Sequence, residues 1–133
     1  MERETDFAVG RELWLDRLGN LRNVVRQEVI ARQLARHVPD FSRMRVMPGT
    51  DVPLPPPMRV LDVGAGQGTQ AIRLARLGHR VTALEPDPRM RDVAAAALAL
   101  EEPGVRSRMD ILAGGLGTLE AAVGSTEYDV VLC

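Results

Sequence analysis

The sequence has no lysine, a single cysteine and few aromatic residues. The shortages of cysteine and aromatic residues limit the kinds of site and of core that the protein can have. All 17 basic residues of the 133-residue chain are arginine, and the one cysteine is the last residue, Cys133. One cysteine cannot form an internal disulfide, and with only two histidines a zinc site is not expected. With aromatic residues at 3%, the core must consist of Leu, Val, Ile and Ala.

Long hydrophobic runs are missing as well. No stretch approaches the roughly 18 apolar residues that a membrane helix needs, and the first residues, MERETDFAVG, lack the apolar segment of a secretory signal. Hydrophobic residues still make up 45% of the chain, and the formal net charge is −1. These values predict one small globular domain in the reducing cytoplasm, without a membrane partner.

Positive charge is concentrated near the N-terminus. Residues 17–45 contain seven arginines and two acids, whereas residues 46–133 contain eight arginines and eleven acids. Within the basic part, residues 21–38 place Val24 and other apolar residues on one helical face and arginines on the opposite face. We therefore predict a helix whose arginine face is either simply solvated or a contact surface for an anionic ligand.

Three parts can be distinguished along the chain. Residues 1–47 form an N-terminal helical segment, residues 48–57 a proline-rich connector that would act as a stiff spacer, and residues 58–133 the body. The body alternates short apolar runs with helical patterns. Strands are predicted at residues 58–63, 80–84, 108–112 and 128–132, and helices at residues 69–77, 88–101 and 116–123.

This alternation is typical of an α/β fold with a doubly wound parallel sheet, here preceded by the N-terminal helix. Thr69 and Asp87 are the expected N-caps of its first two helices, and Gly78 is the expected C-cap of the first. Because the pattern stops at the fourth strand, we expect the first half of a larger domain. Its exposed sheet edge would be covered by a partner or by further residues.

The most informative segment is the glycine loop, residues 64–68 (GAGQG), between the first strand and the helix after it. Glycines let the backbone turn sharply and approach a ligand closely, and the amides at a helix start attract a negatively charged group. Asp62 precedes the loop, and Glu85 follows the second strand, 21 residues beyond Gly64. An acid at that place can accept hydrogen bonds from both ribose hydroxyls of an adenosine.

The segment DVGAGQG followed by Glu85 resembles the first two motifs of the Rossmann-like, class I S-adenosylmethionine (SAM)-dependent methyltransferases. The resemblance covers residues 58–133 and implies the N-terminal part of a seven-stranded sheet, SAM as cofactor and methyl transfer as activity. It implies no metal and leaves the catalytic residue unidentified. The cofactor contacts that it implies are Asp62, Gly64, Ala65, Gly66, Gln67, Glu85, Pro86, Met90 and Gly115. Arg26 in the N-terminal helix is a further candidate, because an arginine there could reach the cofactor carboxylate or an acidic substrate.

A narrower resemblance involves residues 19–27 (GNLRNVVRQ). This segment is similar to one in the bacterial methyltransferases that esterify the carboxymethoxy group on the wobble uridine of tRNA, which implies a tRNA acceptor; a small molecule is the alternative. A carboxylate nucleophile needs no base, since it is ionised near neutral pH. We identify no catalytic base: His79, opposite the glycine loop, is expected to be a surface residue and His37 to be structural.

Two other functions stay open at this point. A nicotinamide- or flavin-dinucleotide oxidoreductase would carry the pattern G-x-G-x-x-G, whose last glycine is replaced here by Thr69. A non-catalytic domain could keep the fold and bind SAM or a regulatory partner. Binding of SAM but not of NAD would separate the first alternative from a methyltransferase.

Overall fold

The computed structural model describes residues 21–38 and 56–133. The first described helix, α1, spans Leu21–His37, where the arginine-rich pattern predicts it. Most of the predicted N-terminal segment, and nearly all of the connector at residues 48–57, lies outside the described residues. Within the described ranges no helix combines the length and the apolar character needed to cross a membrane.

The body alternates strands and helices in the predicted order. The strands are β1 (Arg59–Val63), β2 (Arg80–Glu85), β3 (Met109–Ala113) and β4 (Val130–Leu132). The helices are α2 (Thr69–Arg76), α3 (Pro88–Ala99), α4 (Pro103–Arg106) and α5 (Leu119–Val123), and a 3-10 turn at Leu116–Thr118 precedes α5. All pairings are parallel, in the order β3-β2-β1-β4. The predicted α/β fold with a parallel sheet is confirmed.

Both faces of the sheet carry a hydrophobic cluster, because successive side chains of a strand point to opposite sides. On one face, Val60, Val81 and Ala83 are buried together with residues of α2. On the other face, Leu61 and Leu84 pack against residues that include those of α5. The strands are therefore apolar on both sides, as their short runs of Val, Leu and Ala predict.

The direction of the strand order reverses beside β1. From β1 the chain proceeds through β2 to β3 on one side, and β4 then returns to the other side of β1. In doubly wound sheets, ligands bind outside the carboxyl ends of the strands at such a reversal. The glycine loop follows β1 directly, so this topology puts it at the expected ligand-binding end.

Of the two predicted N-caps, one is confirmed and the other is wrong. Asp87 caps α3 as predicted: its side chain accepts a hydrogen bond from the Arg89 N–H at 2.9 Å, and Pro88 is the first helical residue. Thr69 is not a cap but the first residue of α2. The cap position belongs to Gly68, whose φ of 80° lies in the left-handed region that threonine rarely adopts.

The predicted helix ends are also shifted. Leu77, not Gly78, is the C-cap of α2, and Gly78 follows it with a φ of 93°. The N–H of His79 then reaches the carbonyl of Leu74 at 3.2 Å, as in a Schellman motif. Pro103, expected only to stop α3, instead begins the short helix α4, which fits its preference for the first helical position.

Two side chains are placed differently from the prediction. Val24, on the predicted packing face of α1, is 54% exposed, although Leu34 and Val38 on the same face do pack against the core. His79, expected on the surface, is 1% exposed. The turn between α2 and β2 lies against the chain that enters β1, where the Nδ1 atom of His79 accepts a hydrogen bond from the Met58 N–H at 3.1 Å.

Candidate cofactor site

The glycine loop is fixed to the end of β2 by backbone hydrogen bonds. The N–H groups of Gly64 and Ala65 both donate to the Leu84 carbonyl, at 2.8 and 3.1 Å. Gly64, Gly66 and Gly68 have φ values of 73°, 60° and 80°, a region in which other residues are strained. The spacing of the three glycines is therefore dictated by the backbone path, which carries the chain from the buried strand into α2.

Glu85 joins the glycine loop to β2. Its side chain is 8% exposed, and its Oε2 atom accepts a hydrogen bond from the Gly66 N–H at 2.7 Å. Its Oε1 atom accepts a second one from the Asp87 N–H at 3.0 Å. The carboxylate is thus held in one orientation between the loop and the start of α3.

Arg91, which the sequence analysis did not single out, fixes the backbone beside Glu85. Its Nη1 atom donates to the carbonyls of Glu85 and Pro86, both at 2.8 Å. An arginine one turn into a helix gives no sequence signal for such a role, because its target is two backbone carbonyls and not a charged partner. Only the fold shows that Arg91 faces back to the turn after β2.

Asp62 lies at the end of β1, below the loop. It is 8% exposed, and its carboxylate has no hydrogen-bond or ion-pair partner among residues 21–38 and 56–133. Burial, and secondarily the negative charge of Glu85, raise the pKa of Asp62 to about 6. A buried carboxylate beside a second carboxylate is suited to a ligand that brings positive charge.

The loop after β3 completes this end of the sheet. The Gly114 N–H donates to the Glu85 carbonyl at 3.3 Å, and the Gly115 N–H donates to Thr118 Oγ1 at 3.0 Å. A Cβ atom on Gly115 would lie 3.8 Å from the Pro86 Cγ atom. Pro86 and Gly115, both cofactor contacts implied by the resemblance, are therefore close neighbours.

Of the other predicted cofactor contacts, Met90 and Gln67 lie at the loop, whereas Arg26 lies on α1. Met90 is buried, and its Cε atom lies 3.5 Å from the position of a Cβ atom on Gly66, so it supports the loop from below. Gln67 is partly exposed in the loop itself. Arg26 is exposed on α1, and within the described residues it contacts neither the loop nor Glu85 by a hydrogen bond or ion pair.

Comparison with protein families shows to which family this sheet and its loops belong. The family of methyltransferase domains matches residues 60–133, which include β1, the glycine loop, Glu85 and the loop after β3. The chain belongs to this methyltransferase family. The resemblance to class I SAM-dependent methyltransferases, drawn above from the two motifs, is confirmed at this level.

Individual methyltransferases agree with the family match. The ubiquinone biosynthesis O-methyltransferase of Methylocella silvestris is 37% identical over 78 residues, which are 56% of this chain and 30% of that protein. The crystal structure of the glycopeptide N-methyltransferase MtfA complexed with sinefungin is 25% identical, with a TM-score of 0.53, over 76% of this chain and 33% of that one. The CcbJ methyltransferase of Streptomyces caelestis is 30% identical, with a TM-score of 0.50, over 56% of this chain and 28% of that one. The methyltransferase domain described here thus spans about a third of the length of these relatives.

A cavity elsewhere on the domain is not part of this site. It has a volume of about 390 Å³ and is lined by residues that include Arg59, Arg80, Thr82 and Tyr128. Arg59 and Arg80 are the first residues of β1 and β2, so the cavity reaches the amino ends of the strands. No residue of the glycine loop lines it, and it carries none of the cofactor assignments.

Proposed function

We propose that this domain binds SAM at the carboxyl ends of β1, β2 and β3 and takes part in the transfer of its methyl group to an anionic acceptor. The observation that carries the proposal is the direct hydrogen bond between the Gly66 N–H and the Glu85 carboxylate. It joins the two motifs of the class I methyltransferases into one cleft. The glycopeptide N-methyltransferase crystallised with sinefungin supports the same class of ligand.

The residues of the cleft fit SAM in charge and in shape. Asp62 is a buried carboxylate with no hydrogen-bond or ion-pair partner among the described residues, and it would meet the ammonium group. A Cβ atom on Gly64 would have no atom within 4 Å, so the space above the loop is open. Glu85 would hold the ribose hydroxyls, Pro86 and Asp87 would flank the adenine, and the backbone at Gly115 would meet its amino group.

When bound, SAM supplies an electrophilic methyl group on a positively charged sulfur. The task of the protein is therefore orientation, which can account for roughly 7–11 kcal/mol of a barrier at best. Glu85 and the glycine loop would fix the nucleoside, and Asp62 would fix the amino-acid end. An acceptor carboxylate would need no general base, because it is ionised at neutral pH.

The proposal of an anionic acceptor is supported by α1. Arg22 and Arg26 are exposed and, within the described part of the chain, are not engaged in an ion pair. Guanidinium groups bind carboxylates and phosphates well. The specific acceptor that we propose is the carboxymethoxy group on the wobble uridine of tRNA, as the segment at residues 19–27 suggests. The proposed compartment is the cytoplasm, where such a tRNA resides.

Calorimetric titration with SAM, with its demethylated product and with NAD tests cofactor binding. We expect micromolar Kd values for the first two ligands and no binding of NAD. Loss of SAM binding in a folded protein would overturn the proposal, and tight binding of NAD would favour the oxidoreductase.

A transfer assay with tritiated SAM tests the acceptor. Total tRNA that carries unesterified carboxymethoxyuridine is compared with tRNA that lacks the modification and with a small phenol. Label in the first tRNA alone supports the assignment. Label in the phenol alone would replace it with a small-molecule acceptor, and SAM binding without any transfer would favour the non-catalytic alternative.

A further inference from the structure

The helix α1 is attached to the body mainly at its C-terminal half. It contains no buried residue, and it packs against the core through Leu34 and, just beyond its last turn, Val38. Four apolar side chains of its first half are between 47% and 78% exposed: Leu21, Val24, Val25 and Val29. Among the described residues, other contacts must hold the first half in place.

A polar cluster supplies these contacts. We call Gln27, Glu28, Gln70 and Arg73 the clamp. The Gln27 carbonyl accepts hydrogen bonds from Gln70 Nε2 at 3.0 Å and from Arg73 Nη1 at 3.2 Å. Gln70 Nε2 also donates to Gln27 Oε1 at 2.7 Å, and Arg73 Nη2 pairs with Glu28 Oε2 at 3.3 Å. Hydrogen bonds are directional, so the clamp fixes the rotation and register of α1, which apolar contact does not do.

The clamp lies next to the glycine loop. Gln70 is the second residue of α2, directly after Gly68 and Thr69. The clamp therefore ties α1 to the first turn of α2, which is at the same end of the sheet as Asp62 and Glu85. A shift of α1 therefore acts first on the backbone where the loop enters α2.

We propose that Gln70 and Arg73 are positioning residues that hold α1 beside the SAM cleft and thereby set how long SAM stays bound. The inference rests on the proposed function. The first half of α1 is then the side of the cleft that moves when SAM enters or leaves, because polar contacts and not buried side chains retain it.

The test uses Gln70→Ala and Arg73→Met, with Arg76→Met as the matched control. Arg76 lies on the same helix but pairs with Glu101 and not with α1. We expect the clamp variants to raise the Kd for SAM about tenfold, the effect of roughly one or two net hydrogen bonds, mainly through faster dissociation. Hydrogen exchange of residues 21–38 should accelerate in both clamp variants, and Arg76→Met should change neither quantity.

A charge exchange separates positioning from general destabilisation. Arg73→Glu should weaken SAM binding, and the double variant Glu28→Arg with Arg73→Glu should recover part of it, which a merely structural defect would not do. If wild-type protein binds SAM and the clamp variants bind and release it at the same rate, the clamp inference is wrong while the proposed function stands. If wild-type protein does not bind SAM at all, the proposed function itself has failed and the inference with it.

Discussion

Two buried carboxylates, Asp62 and Glu85, lie near the ends of β1 and β2, and their hydrogen bonding differs. Glu85 accepts hydrogen bonds from two backbone N–H groups, one at each carboxylate oxygen, so both oxygens have a partner in the folded state. Asp62 is equally buried but accepts none from the described residues, and the neighbouring Glu85 charge adds to its cost. Glu85 therefore supports the fold, whereas Asp62 destabilises the ligand-free protein, which agrees with the cationic ligand proposed for it.

Asp62 gives a prediction about pH. Its pKa is about 6 in the folded protein and 3.8 ordinarily, so between these values the folded state keeps a proton that the unfolded chain has released. The contribution of Asp62 to stability should therefore fall as the pH rises from about 4 to about 6, by up to about 3 kcal/mol, and then level off. Asp62→Asn should remove this slope and be more stable at pH 8, as urea unfolding at a series of pH values would show.

The same substitution should act in the opposite direction on ligand binding. At pH 8, Asp62→Asn removes a negative charge that would face the ammonium group, so we expect weaker SAM binding together with higher stability. A variant that retained the pH slope would refute the assignment to Asp62. One that bound SAM as well as wild type would refute the ammonium contact.

Glu85 gives a second prediction, because it serves both the fold and the ligand. Glu85→Ala would leave the N–H groups of Gly66 and Asp87 without their acceptor, at a cost of about 1–3 kcal/mol in the free energy of unfolding. SAM binding should weaken by tenfold or more, since the ribose contacts are lost as well. Glu127→Ala, at an exposed acid, is the control and should alter neither the melting temperature nor the Kd.

Among the helices and strands, the sequence pattern is sufficient to predict an element wherever a chain segment determines its own structure. The strands, α1 and the Asp87 cap depend on local periodicity and local hydrogen bonds, and they were predicted to within a few residues. One error depends on a distant partner: His79 is buried because the chain entering β1 lies against it. The other two depend on local backbone geometry that periodicity does not reveal. Gly68 displaces Thr69 as cap because the loop turns there with a positive φ, and Arg91 donates to carbonyls of the turn just before α3.

The glycine loop as an element gives a third prediction, in which backbone strain is separated from obstruction of the cleft. Gly64 and Gly124 both have positive φ values, and a Cβ atom on either would have no neighbour within 4 Å. Gly64→Ala and Gly124→Ala should therefore each lower stability by about 1–3 kcal/mol through strain alone. Only Gly64→Ala should also weaken SAM binding, because its methyl group would occupy the cleft. Equal SAM affinities in the two variants would show that the ligand does not pass over Gly64.

At the scale of the whole molecule, the sheet is unevenly protected. The β1 and β2 strands are central, whereas β4 pairs only with β1 among the described residues. Val131, in the middle of β4, is 57% exposed. An open strand edge with apolar side chains is a template for pairing with another chain. That a partner or further residues cover the edge at β4 stays a prediction.

The open edge gives the last prediction, which concerns the 133-residue chain in solution. We expect concentration-dependent self-association, measured as weight-average mass by sedimentation equilibrium, because pairing along β4 would satisfy its outer backbone groups. Val131→Lys should reduce that association several-fold, since a charge on an edge strand opposes pairing. Leu100→Lys, at an apolar residue 89% exposed beyond α3, is the control. If both substitutions reduce the mass equally, general surface hydrophobicity and not the β4 edge drives association. Both variants should bind SAM as the wild-type protein does, because neither substitution lies in the SAM cleft.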